Sequence, residues 1–276
     1  MSLALVPAIF CTFTNTAEDD NQSVANEGTM MDSVRDFGSG IMTTLRNKPF
    51  RKICLATFLV FNAFQVIAAF SWFIIVYYMN AGDPVAAGVW PTLFGSVGAL
   101  FTCFLVIPVI NWCAQTYGKL NTFMVSQAVS LLGYILLWWG FSPENPWMMF
   151  IPLPLFSFGI GGLFTIMMSM TADICDMDEL ETGERREGTF GAIYWWMVKF
   201  GAAVAGAGSG LILSVIGFDQ TVAIQSDETL AMLRLSYVLI PCIGTSIAIF
   251  VMRNYDLDEQ KANEIRAQLD ARAAAR

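Results

Sequence analysis

The stretch DICDMDELETGERREGTFGAIYWWMVKFG, residues 173–201, changes character twice. It begins with five acids in nine residues (Asp173, Asp176, Asp178, Glu179 and Glu181) and turns basic at Arg185 and Arg186. It then becomes an apolar helical segment carrying one lysine, Lys199. A cation beside Trp195, Trp196 and Gly201 means different things in water, in a soluble core and in a bilayer. The surroundings of this segment therefore decide the fold.

Composition points to the bilayer. Of the 276 residues, 55% are hydrophobic and 14% charged, against roughly 45–50% and 25% in soluble domains. There is no histidine, which excludes His-based catalysis and His-ligated metals. The six cysteines are scattered without a C-x-x-C pair, so neither zinc nor a disulfide framework is expected, and they read as small buried apolar residues. A formal charge of −8 argues against a nucleic-acid partner. No cofactor is expected, and the chain does not read as an enzyme.

About 20 apolar residues span a bilayer as helix. Six such runs occur, near 53–79, 87–112, 120–141, 147–172, 189–218 and 230–252. The expected fold is an all-α polytopic membrane bundle over 53–255. Residues 1–14 are apolar but too short to span and lack a signal-peptide n-region; they read as the end of a truncated transmembrane helix. A polar linker follows over 15–52, and 256–276 form a charged tail outside the membrane.

Thirteen of the fifteen Lys and Arg residues lie in the linker, around Lys119, at Arg185–Arg186 and in the C-terminal tail. The loops YYMNAGDPV, FSPENPW and GFDQTVAIQSDETL contain none. The positive-inside rule places the linker and the C-terminus in the cytoplasm of a multi-pass cell (inner) membrane protein. Arg234 lies near the outer end of the last span, where a long side chain can snorkel. Ala202, Gly206 and Gly210 repeat at four-residue spacing, the pattern that lets two membrane helices approach closely.

Lys199 is thirteen residues beyond Arg186, roughly 20 Å along a helix, too deep for an interfacial anchor. A charge at that depth costs about 3 kcal/mol on insertion scales and needs a polar cavity or a partner. The spans offer no carboxylate; their polar residues, such as Asn62, Gln65, Gln127 and Thr165, are neutral. Lys199 is then solvated by water and substrate, paired on helices outside this sequence, or merely fixing helix packing. Tyr194, Trp195, Val198 and Lys199 recur at spacings of three and four. Aromatic faces beside a hydrogen-bonding cation suit a sugar-like polyol. The acid-rich loop reads either as a charge network that holds the inner side shut in one state or as a solvated turn with incidental pairs.

The segment ADICDMDELETGERREGTFGAIYWWMVKFGAAVAG resembles the signature of the glycoside–pentoside–hexuronide:cation symporters, the melibiose-carrier family of the major facilitator fold. Asp173, Asp176, Glu179, Thr182, Gly183, Arg185, Glu187, Gly188, Lys199 and Gly201 occupy its pattern, and LRNKPFRKI resembles the family's linker end. Gly118 and Lys119 match the usual R-x-G-K-like turn, although the basic residue before the glycine is absent. The resemblance implies helices seven to twelve of a twelve-helix carrier. That is the C-terminal half of a sodium- or proton-coupled sugar or glycoside symporter, incomplete alone and either truncated or one half of a split carrier. Its partners would be the sugar, the bilayer, and a coupling cation bound mainly by the absent N-terminal half. By the same resemblance the sugar wall includes Lys199, Trp195, Tyr194, Val198 and Phe164. Asp173, Asp176, Glu179, Arg185, Glu187 and Lys119 would form the cytoplasmic gate. The alternatives are a carrier of another amphiphile, such as a lysolipid, and a degenerate membrane protein that does not transport.

Overall fold

The computed structural model describes Thr44 and residues 46–274. The expectations for residues 1–14, for most of the 15–52 linker and for Arg276 fall outside the described residues. Six helices are long and apolar enough to cross a membrane: α1 (Lys48–Met79), α2 (Pro84–Tyr117), α3 (Lys119–Gly140), α4 (Pro146–Thr182), α5 (Glu187–Val215) and α6 (Asp227–Met252). A polar helix, α7 (Glu259–Ala274), follows. The described residues contain no strand. This is the all-α bundle expected of apolar runs, because in hydrocarbon each backbone N–H must find its acceptor within its own helix.

Local chemistry sets the boundaries. Asn47 accepts from the Phe50 amide at 3.1 Å ahead of Pro49. Asp83 accepts from Val85 and Ala86 ahead of Pro84. Ser226 accepts from the Thr229 amide at 3.1 Å to start α6. Each side-chain oxygen satisfies an amide that a helix start leaves free. At the other end of α4, Gly183 adopts φ 76° and donates to the Glu179 carbonyl, a left-handed helix stop that glycine tolerates at little cost. The acid-rich stretch read from sequence as a loop is thus helical through Thr182. The arginines that follow the stop fold back onto its carboxylates, which relieves their mutual repulsion.

α1 is the centre of the bundle, packed against α6, α5 and α4, while α3 packs on α4 and α6. Phe70, Ile74, Ile75, Tyr134, Leu153, Leu233 and Tyr237 form the shared core between them. Both α1 and α2 contain a π-helical stretch, at Ile74–Met79 and Thr102–Val106. The second lies just ahead of Pro108, whose missing N–H disturbs the regular ladder.

Two expectations change. Arg234 does more than snorkel. It donates to the Trp138 carbonyl at 2.6 Å, and its guanidinium lies 4.2 Å from the Tyr78 ring centre and 4.4 Å from that of Trp138. It thereby ties α6 to the ends of α1 and α3. Cysteine burial is also uneven: Cys54 and Cys175 are buried, but Cys103 is exposed on α2.

Among the described residues, Gly206 and Gly210 of α5 meet no neighbouring helix. A Cβ added at Gly206 or Gly210 meets nothing within 4 Å. The tight crossing is between α3 and α4. A Cβ at Gly133 would lie 2.4 Å from the Phe156 amide nitrogen, and one at Gly162 2.3 Å from the Ser126 hydroxyl. Gln127 donates across the same crossing to the Gly159 carbonyl at 3.0 Å. Gly133→Ala should therefore force backbone apart and destabilise the fold by about 1–3 kcal/mol, whereas Gly206→Ala should not. Thermal unfolding of the two purified variants distinguishes them, and equal melting would refute the close crossing.

Candidate functional site

The charges gather at one end of the bundle, here termed the basic end. Lys119, the first residue of α3 after the Gly118 break, reaches α4 and donates to both Asp173 oxygens at 2.8 and 2.6 Å. Arg185 gathers three carboxylates: Glu179 at 2.8 Å, Glu187 at 3.1 Å and Asp176 at 3.2 Å. Arg186 forks onto Asp178 through two bonds of 2.8 and 2.5 Å, the bidentate geometry that a planar guanidinium favours. The Glu179 and Glu187 carboxylates hold the Arg185 guanidinium above its ordinary pKa, and Asp178 does the same for Arg186. These arginines stay charged at any physiological pH.

All six expected gate residues thus enter ion pairs, in two separate groups: Lys119–Asp173 joins α3 to α4, and Arg185 joins α4 to the start of α5. Sequence reasoning missed how far these contacts extend. Arg266 of α7 approaches Asp176 at 3.7 Å, and Arg272 donates to the Leu180 carbonyl at 2.9 Å. Lys52 of α1 binds Asp256 at 2.9 Å and also the Asn254 carbonyl. The tail helix is therefore clasped to the end of α4, and the segment that leads into it is clasped to the start of α1. Lys52 holds the Asp256 carboxyl below its ordinary value. A lowered pKa means that this contact contributes above the unfolded-state value and is lost as pH falls through the folded one, in acid well below neutrality.

The second group lies at mid-depth. Phe164 of α4 stacks on Trp195 of α5, with ring centres 6.2 Å apart and planes at 25°, and meets Phe61 of α1 edge-on at 6.0 Å. Trp195 is 44% exposed, and Lys199, one turn further along the same ridge of α5, is exposed too. Lys199 has no ion pair or hydrogen bond among the described residues. Tyr194 and Val198, expected on the same surface, are buried against the bundle instead. Adjacent helix positions lie about 100° apart, so 194 and 198 form a neighbouring ridge that packs inward. The structure thus brings together Lys199, Trp195 and Phe164 and sets Tyr194 and Val198 behind them. Phe61 joins the aromatic group, and only its apolar run hinted at that in the sequence.

From this aromatic group a cleft of about 650 Å³ runs between α1, α2 and α4 toward the end opposite the basic one. The sequence offered one faint signal for it, the small residues Gly95, Gly98 and Ala99 on a single stretch of α2.

Six apolar spans with a cation and an aromatic wall part-way along them, and with ion-paired charges gathered at one end, make this a multi-pass membrane bundle. The chain matches the family described as MFS/sugar transport protein over residues 1–259, and it belongs to that family. It is 25% identical to the glucuronide carrier protein homolog of Escherichia coli over 99% of this chain and 56% of that one. It is 28% identical to the isoprimeverose transporter of Lactiplantibacillus pentosus, over 59% of this chain and 34% of that one. A putative sulfoquinovose importer of Escherichia coli is 28% identical over 78% and 44% of the two chains. The chain spans about half the length, or less, of these curated relatives.

The Lys119–Asp173 pair is partly shielded, with side chains 26% and 18% exposed. A double-mutant cycle to alanine should return a coupling of about 1 kcal/mol. The Lys52–Asp256 pair, whose carboxylate is 62% exposed, should show little and lose it in high salt. Zero coupling at Lys119–Asp173 would reduce the basic-end network to incidental contacts.

Proposed function

We propose that these six helices work as the C-terminal half of a sodium- or proton-coupled sugar or glycoside symporter, paired with a second six-helix half and operating by alternating access. The observation that carries this reading is Lys199, an unpaired cation at mid-depth beside the stacked pair Trp195–Phe164. A buried-layer charge without a counter-ion calls for a ligand or for another helix. The ring faces bind the C–H surface of a sugar, and the ammonium donates to its hydroxyls or to an acidic group. The relatives include a named glucuronide carrier and an isoprimeverose transporter, which agrees with a sugar ligand.

Coupling needs a cation site whose affinity changes with conformation. The carboxylates of the six described spans lie at their ends and are mostly engaged with Lys119, Arg185 and Arg186. The coupling cation is therefore assigned mainly to the other half. In this reading the basic end faces the cytoplasm of the cell (inner) membrane, and its ion pairs, with α7, form the inner gate. Tyr194 and Val198 support the site from behind, holding the Trp195–Lys199 ridge of α5 in place against α1.

In the assembled carrier, Lys199→Ala should weaken sugar affinity roughly 10- to 150-fold, the loss of a charged hydrogen-bond donor worth about 1.5–3 kcal/mol. Insertion into the membrane should be unchanged or improved, because a charge leaves the apolar layer. Lys199→Arg should rescue poorly, since a planar fork does not replace a point charge. Normal uptake by Lys199→Ala would make the lysine a bystander, and failure of that variant to accumulate would make it a packing residue.

Single cysteines placed at 80–86 should react with an impermeant thiol reagent added outside intact cells, and cysteines at 256–274 should not. Labelling of the tail from outside would invert the proposed orientation.

A further inference from the structure

The cleft between α1, α2 and α4 differs in chemistry from the Lys199 group that it adjoins. Its walls carry no charged side chain. Three of its hydroxyls are already committed to their own helices: Ser71 to the Ala68 carbonyl at 3.1 Å, Thr102 to Gly98 at 2.8 Å and Ser157 to Leu153 at 2.8 Å. A sugar placed there would leave most of its hydroxyls without partners, which disfavours burial. An apolar group would lose nothing. The volume, about 650 Å³, lies within the range of sites for small organic ligands.

The cleft is continuous with the candidate sugar wall. Phe164 lines its inner limit and also stacks on Trp195. Its other limit is at Trp72 and Pro91, near the end of the bundle opposite the ion pairs. A ligand with its polar ring against Trp195 and Lys199 can therefore send an apolar substituent past Phe164 along α2. The floor is kept open by Gly95, where an added Cβ would meet nothing within 4 Å.

We infer that this cleft is the subsite for the apolar aglycone of a glycoside, so that the carrier prefers aryl or short alkyl glycosides to the same sugar with a methyl aglycone. The inference rests on the sugar-carrier reading. It adds a specificity surface on α2, with Gly95 setting the room available to the substituent. A lysolipid carrier would use the same trough for an acyl chain, so the test includes one.

The experiment is equilibrium binding to the full chain in lipid nanodiscs, together with any half that co-purifies with it. The probes are 4-nitrophenyl β-D-glucuronide, methyl β-D-glucuronide and 1-oleoyl lysophosphatidylcholine. The glucuronides offer a carboxylate to Lys199 and differ only in aglycone. Burying an aromatic ring should favour the nitrophenyl probe roughly 10- to 100-fold. The graded series Gly95→Ala, Gly95→Leu and Gly95→Phe, which grows into open space, should reduce that ratio stepwise to near one. Gly95→Ala guards against misfolding of the larger variants, because one methyl group already trims the cleft. A ratio that is near one in the wild type, or that ignores the series, overturns the aglycone subsite while leaving the sugar reading intact. Binding of neither glucuronide by the chain assembled with its second half overturns both. Binding of the lysolipid that falls along the series, with no aryl preference, assigns the cleft to an acyl chain and also overturns the proposal.

Discussion

A hydrocarbon layer leaves a charge few options, and most of this architecture follows from that constraint. Among the described residues, the cations and carboxylates lie at helix ends, in loops or on α7, with two departures, Lys199 and Arg234. Arg234 is accommodated by two aromatic faces and a backbone carbonyl. Lys199 has no such accommodation within the described chain. A residue that composition alone would exclude, and that packing among the described residues does not explain, is the one on which the proposed function rests.

The apolar runs made the six helices legible because that signal is local, but several helices start a few residues ahead of the apolar run, where a polar cap sets the boundary. Asn47, Asp83 and Ser226 each precede the helix that they begin. The close crossing was not legible, since glycines on α3, α4 and α5 look alike in sequence. Only the partner surface separates Gly133 and Gly162, which meet a neighbour, from Gly206 and Gly210, which meet none.

The candidate site was partly legible for the same reason. The four-residue ridge of Trp195 and Lys199 follows from helix geometry, but which of two adjacent ridges faces inward depends on α1. Tyr194 and Val198 were therefore placed one ridge out. The charge network showed most of its members as acids followed closely by Arg185 and Arg186, and Lys119 through the family resemblance. Its extension to Arg266 and Arg272 did not show, because contacts some ninety residues apart leave no periodic trace. The cleft left only the faint signal of small residues on α2, because a void is made by three helices together.

The uneven packing of the six spans has a mechanical consequence. Within its most apolar stretch α4 is 61% buried, whereas α5 is 28% and α2 only 17%. Arg234 rivets α1, α3 and α6 at one end, and the α3–α4 glycine crossing welds a fourth helix to them. Those four helices are thus held to one another by side-chain and close backbone contacts. α5 leans mainly on α1, and α2 is the least buried of the six, so these two are the most loosely held by the described residues. This loosely held pair carries Lys199 on one helix and Gly95 on the other, so a ligand touching both would bear on the two spans with the least of their surface fixed by neighbours.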